Sequence, residues 1–344
     1  MSTAVDPSRL LALVDEIAGR RVVVAGDLLA DEFIYGEIAR VSREAPVLIL
    51  NYDSTEVVPG GAGNAAANAA ALGGAVRATG VAGRDETGRR LLSVLRERRV
   101  DIGSVLRPSG YRTPTKTRIL AGGIHSAKQQ VVRIDRASCG TIDARTRAAF
   151  ESTVRDAVRG ADALIISDYG SGLVSPALVQ EARRAFRHRS DAPVVVDSRY
   201  ALPKFRSMTA CTPNESEVEQ ALGLKIGENK NVLERAGRAM LKKTRAHAVL
   251  ITRGSRGMAL FQPAHPTVHI PIVGSDQIAD VTGAGDTVIA TLTLALSAGA
   301  SFLEAAHLAN HAGGIVVMKR GTAAVSASEL RFAISGGAIG RAAT

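Results

Sequence analysis

Tryptophan is absent and aromatic residues make up only 3% of the 344-residue chain, so its interior cannot rest on packed rings. With 46% hydrophobic residues, the core must be built from Ala, Val, Leu and Ile. That composition suits parallel strands covered by Ala-rich helices. The scarcity of rings also removes the stacking surfaces that single-stranded nucleic acids use. Cysteine is nearly absent: Cys139 and Cys211 have neither CxxC spacing nor paired histidines, which excludes a disulfide framework and a zinc site. No stretch approaches the roughly 18 uninterrupted apolar residues of a membrane span, and residues 1–10 lack a basic region followed by an apolar run. A cytoplasmic protein with no membrane partner is expected.

Lys and Arg (43) exceed Asp and Glu (33), a net +10 that favours anionic partners, either nucleic acid or a polyphosphate. The excess forms no tail. Its densest stretch, Arg183, Arg184, Arg187, His188 and Arg189, reads as one solvated face of a helix. No nucleic-acid-binding motif accompanies the charge, and no nucleic-acid partner is expected.

At this length, one large α/β domain or a domain with a small accessory unit is expected. After an amphipathic helix over 7–19, the run 21–25 (Arg-Val-Val-Val-Ala) reads as a buried strand closed by Gly26 and Asp27. The same pattern recurs at 163–167 before Asp168, at 193–196 before Asp197, and at 248–251 before Thr252. Helical patterns over 143–159, 175–189 and 228–244 lie between, which argues for a parallel sheet with helices on both faces. In open α/β sheets, ligands sit at the carboxyl ends of the strands. Two β-rich stretches without helices, about 32–56 and 114–135, read as a small separate sheet that can close over a site.

Residues 280–287 (Asp-Val-Thr-Gly-Ala-Gly-Asp-Thr) form a glycine-rich turn that opens an apolar helix ending near Gly299. The first amides of a helix lack intrahelical partners and the dipole there is positive, so Gly283, Ala284 and Gly285 can hold an anion with main-chain donors. Asp286 in the first turn is either the carboxylate that accepts an attacking hydroxyl's proton or a helix cap.

That segment resembles the carboxyl-terminal signature of the ribokinase-like (PfkB) sugar kinases. Residues 59–73 (Pro-Gly-Gly-Ala-Gly-Asn-Ala-Ala-Ala-Asn-Ala-Ala-Ala-Leu-Gly) resemble the amino-terminal one. Further matches at Gly26-Asp27, residues 85–88 and residues 212–217 extend the likeness over nearly the whole chain. Within the family, residues 26–31, 38–47, 115–119, 167–172 and 319–322 most resemble bacterial heptose 7-phosphate kinases of lipopolysaccharide precursor synthesis. The chain departs from them at Arg43, at Gly63 and in an insertion at 121–126.

The resemblance implies a doubly wound, mostly parallel sheet flanked by helices, with an inserted β lid, as a single kinase domain over 1–344 with no nucleotidyltransferase portion. It implies an ATP-dependent sugar kinase with Asp286 as base, acting on heptose 7-phosphate to give heptose 1,7-bisphosphate. Another sugar, sugar phosphate or nucleoside is the first alternative, and a non-catalytic nucleotide-sensing binding protein the second. Gly60, Gly61 and Asn64 would form the sugar loop, with Asp27 and Asp31 accepting from sugar hydroxyls. Lys116, Arg118 and Arg133 on the lid would hold a substrate phosphate if one is present. Asn214 and Glu217 would organise Mg2+ through water, or else be a helix cap and a surface Glu. Asp197, Thr252, Gly254, Gly257 and Asn310 fall on the adenosine side, and Asp280 and Thr282 in a monovalent-cation (K+) loop. Because an unpaired lid edge invites another strand, a homodimer through the lid is expected.

Overall fold

The computed structural model describes residues 5–122, 128–137, 142–186, 189, 191–274, 281–319 and 323–337. Among them, nine strands form the main sheet in the order Val268–Ile270, Met258–Phe261, Ala248–Thr252, Ala210–Cys211, Val194–Ser198, Ala163–Asp168, Arg21–Gly26, Ala75–Val81 and Asp101–Leu106. Pairing is parallel except around Met258–Phe261, which runs antiparallel to both neighbours. The mostly parallel sheet is the one expected.

The strand Arg21–Gly26 shows why this sequence folds in layers. Successive side chains of a strand point to opposite faces. Val22 and Val24 enter one buried cluster with Leu13, Ile17 and Leu292, whereas Val23 and Ala25 enter another with Phe150, Ile166 and Phe205. A strand apolar on both sides must be covered on both, and helices do so.

The second sheet has four strands in the order Leu48–Gly61, Leu28–Val41, Thr115–Gly122 and Gln129–Arg136. Its hairpin reaches further towards the main sheet than residues 32–56, because Leu28 and Leu29 still pair with Gly61 and Gly60. The lid is thereby rooted in the glycine loop. Every residue of Gln129–Arg136 is exposed. The helix read over 175–189 is Leu178–Ala185, beginning beyond Pro176, which disfavours helical backbone in the residue before it. No described helix is long and apolar enough to cross a membrane.

Candidate active site

The helix Ala284–Ser297 starts at Gly283, whose φ of 79° places it in the left-handed region that glycine adopts without strain. Asp286 in its first turn is buried, with 4% exposure. Against this helix packs Ala62–Ala71, whose seven alanines and one glycine keep its surface low enough for close approach. Its polar side chains, Asn64 and Asn68, lie one turn apart and both are fully buried. Asn64 Nδ2 donates to Asp286 Oδ2 at 2.8 Å, Asn68 Nδ2 donates to Asn64 Oδ1 at 3.1 Å, and Thr287 Oγ1 donates to Asn68 Oδ1 at 2.8 Å. This chain satisfies polar groups that would be costly to bury alone.

Tyr169, just beyond the strand Ala163–Asp168, donates its hydroxyl to Asp286 Oδ1 at 3.2 Å. Both oxygens of Asp286 therefore accept a hydrogen bond. Burial pushes the carboxyl up to about 7, against the downward pull of Asn64 and Tyr169. A carboxylate in that range can take a proton near neutral pH.

Asp286 lines a cleft of about 600 Å³ between the main sheet and the lid. On the lid side stand Asp31, Gly60, Gly61, Lys116, Arg118 and Arg133. A Cβ on Gly60 would lie 2.6 Å from Asp31 Oδ2, so the glycine leaves room for that carboxylate. Arg118 is paired with Asp31 at 2.5 Å, both side chains largely buried, and Arg133 is paired with Asp135 at 2.6 Å. Lys116 has no carboxylate partner at ion-pair distance among the described residues; its ammonium lies over the Tyr169 ring, 5.7 Å from the centroid. Burial lowers its pKa.

Of the residues expected to contact a sugar, Asp27 and Asn64 are not among those that line the cleft. The Asp27 carboxylate accepts from the Tyr169 amide at 2.7 Å, the Ser171 amide at 3.2 Å and the Ser171 hydroxyl, tying the first strand to the 169–171 loop. Asn64 is turned to the base. The sequence also gave no role to Tyr169, although its position directly after a strand that ends in Asp marks the carboxyl end of the sheet.

On the opposite side, Asn214 and Glu217 form a reciprocal capping box on the helix Glu215–Leu222, the alternative open from the sequence. Both face the cleft. The Asn214 amide donates to Glu217 Oε2 at 2.9 Å, which leaves Oε1 without a hydrogen bond among the described residues. Burial and then the charge of Glu217 push Asp197 well above the ordinary carboxylate range, and burial also raises Glu217. A divalent cation beside them would favour the charged form of both carboxyls, while no group of three or more metal-binding side chains gathers there among the described residues. Asp197 lines the same cleft as Glu217 and Asp286, and the charges of both act on it. Arg199, unassigned from the sequence, follows Asp197 by two residues at the same strand end and also lines the cleft.

Thr252, Gly254, Gly257 and Asn310 line the far end. Gly257 is required there, since a Cβ would sit 2.1 Å from the Ile270 carbonyl oxygen. Asn310 Nδ2 donates to the Pro271 carbonyl at 2.8 Å. Thr282 lines the cleft with Gly283, Ala284 and Gly285, and a Cβ on Gly285 would meet only open space. Asp280 lies outside the described residues.

Comparison with known proteins identifies the family and the fold. The description "pfkB family carbohydrate kinase" matches residues 21–329. The chain is 41% identical over 309 residues to the "Bifunctional protein HldE" of Geobacter metallireducens and 39% identical over 311 residues to that of Desulfatibacillum aliphaticivorans. Each match covers 90% of this chain, but only 61% and 62% of the relative, so the chain spans about six tenths of their length. Among solved structures, phosphofructokinase-2 from Escherichia coli in complex with potassium superposes with a TM-score of 0.72 at 19% identity, covering 93% of this chain and 99% of that one. Ribokinase from Arabidopsis thaliana complexed with ribose and ATP gives 0.69 at 19% identity, covering 92% and 99%. These structures share the fold, and the match along residues 21–329 places this chain in the pfkB family of carbohydrate kinases.

Proposed function

We propose that this kinase transfers the γ-phosphate of Mg-ATP to a hydroxyl of a heptose 7-phosphate, giving a heptose 1,7-bisphosphate. The observation that carries the phosphosugar is Lys116: a half-buried ammonium in the cleft, with no carboxylate at ion-pair distance among the described residues, flanked by Arg118 and Arg133. The likeness to the HldE proteins supports the heptose.

In this reading the acceptor hydroxyl rests between Asp31, the Gly60–Gly61 loop and Asp286. Its oxygen bonds to the γ-phosphorus as the bond to the ADP oxygen breaks, and its proton passes to Asp286. The amides at Gly283 and Gly285 would meet the charge that develops on the phosphoryl oxygens, joined by that of Ala284 on leaving the Val281 carbonyl, to which it donates at 3.3 Å. Glu217 and Asp197 would hold Mg2+, Glu217 through water. Thr282 would contribute to a monovalent-cation loop, and Thr252, Gly254, Gly257 and Asn310 would receive the adenosine. Two copies would pair through the lid, where Val132 and Ile134 lie exposed on the edge strand.

A coupled ADP-release screen across heptose 7-phosphate, other phosphosugars, free sugars and nucleosides tests the substrate. Preferential turnover of a free sugar or a nucleoside would overturn the phosphosugar reading. Lys116→Glu should raise KM for the phosphosugar at least tenfold with KM for ATP little changed. Membership of a carbohydrate kinase family and the buried Asp286 both count against the nucleotide-sensor alternative. Sedimentation of the wild type and of Val132→Lys tests the lid dimer.

A further inference from the structure

We propose that Arg199 is a further catalytic residue, its guanidinium donating to the oxygens of the phosphoryl group in transit between ADP and the sugar. The case begins with strand geometry. Arg199 opens the turn after Val194–Ser198, and it lines the cleft together with Asp197, whereas Ser198 does not. Ser198 Oγ donates to Asp168 Oδ2 at 2.6 Å and the Arg199 amide donates to the Asp168 carbonyl at 3.0 Å. The backbone of Arg199 is thereby tied to the neighbouring strand Ala163–Asp168.

The charges around it are the second argument. Arg199 acts electrostatically on Asp197 and Glu217, on Tyr169 and on Lys116. Tyr169 in turn donates to Asp286, and Arg199 lines the same cleft as Asp197, Glu217 and Asp286. Yet its guanidinium forms no ion pair among the described residues. The other cleft arginines differ: Arg118 is held by Asp31 and Arg133 by Asp135. The Arg199 guanidinium instead lies over the Tyr200 ring, 5.7 Å from its centroid. Its donors thus remain available, and a planar guanidinium is suited to two oxygens of one phosphoryl group.

The third argument is charge balance. Asp197, Glu217 and Asp286 crowd the side of the cleft where a triphosphate would arrive beside the Gly283–Gly285 amides. Charge spreads over the equatorial oxygens in phosphoryl transfer, and an arginine that meets it acts more strongly in the transition state than in the ground state. Lys116 approaches from the lid and Arg199 from the sheet, so the group would pass between two cations on separate elements.

The proposal rests on Asp286 as the base, and Asp286→Asn is therefore run in parallel. Turnover of heptose 7-phosphate, or of the sugar the screen returns, is measured for Arg199→Ala and Arg199→Lys with and without added guanidinium. Arg199→Ala should lose at least about 100-fold in kcat, recover part of it with guanidinium, and exceed Arg199→Lys in its loss. An Arg199→Ala kcat within about threefold of wild type, or a rise in KM alone, overturns the proposal. So does a loss that neither lysine nor guanidinium restores, which would make Arg199 a support of the cleft wall. Should Asp286→Asn stay active, the base assignment fails instead, and the two failures are distinct.

Discussion

The side-chain amide of Asn64 meets the carboxylate of Asp286 at 2.8 Å, although 222 residues of chain separate them. One residue belongs to each glycine-rich segment, and the bond holds one oxygen of the proposed base while opposing the rise in its pKa that burial causes. Replacing Asn64 with Leu removes a donor that lowers the Asp286 pKa. The acidic limb of kcat should move to higher pH, and activity at pH 7 should fall about tenfold, with partial recovery towards pH 8.5. A kcat–pH profile identical to wild type would show that the bond does not tune the base.

Asp286 must be ionised to accept a proton, so turnover of the wild type should fall as pH drops through about 7. The effect on stability has the opposite sense. A carboxyl whose folded pKa is raised contributes stability fully present below its unfolded pKa, near 3.8, and lost as pH rises through about 7. Asp286→Asn should therefore lose roughly 1,000-fold or more in kcat yet unfold at higher temperature than wild type at pH 8. The gain should be on the order of 1–4 kcal/mol, shrinking towards pH 4. Calorimetry across pH checks it.

Asp197 and Glu217 hold protons more tightly than ordinary carboxylates. If they receive Mg2+, binding must release those protons, and the Mg2+ concentration for half-maximal turnover should rise as pH falls. Glu217→Gln should raise that concentration by about 10- to 100-fold while KM for the sugar stays near wild type. Titration of activity with Mg2+ at several pH values separates the two variables.

Gly60→Ala places a methyl group against Asp31 Oδ2. Displacing that carboxylate should raise KM for the sugar about 10- to 100-fold, with KM for ATP unchanged. Circular dichroism should match wild type, since Gly60 is not among the residues with positive φ.

Much of this arrangement is legible in the sequence because repeated grammar carries it. Apolar runs closed by an acidic or polar residue place Asp168, Asp197 and Thr252 at strand ends, and a glycine turn before an apolar helix places Asp286. Short strands towards the sheet edge such as Met258–Phe261 and Val268–Ile270 escape notice, because short antiparallel additions leave no distinctive periodicity. Asn64 is harder still. Its position in a signature shows that it matters, but only the packing of Ala62–Ala71 against Ala284–Ser297 directs its amide to the base rather than the cleft. Arg199 is hidden by its type, since an arginine at a strand end looks like surface until its neighbours are known.

The same long-range bond also orders events in time. At a synthesis rate of about 5–20 residues per second, Asp286 leaves the ribosome roughly 10–45 s after Asn64. Throughout that interval the helix Ala62–Ala71 has no partner for the face bearing Asn64 and Asn68. The nascent chain therefore holds the small sheet and much of the main one before Asp286 can meet Asn64.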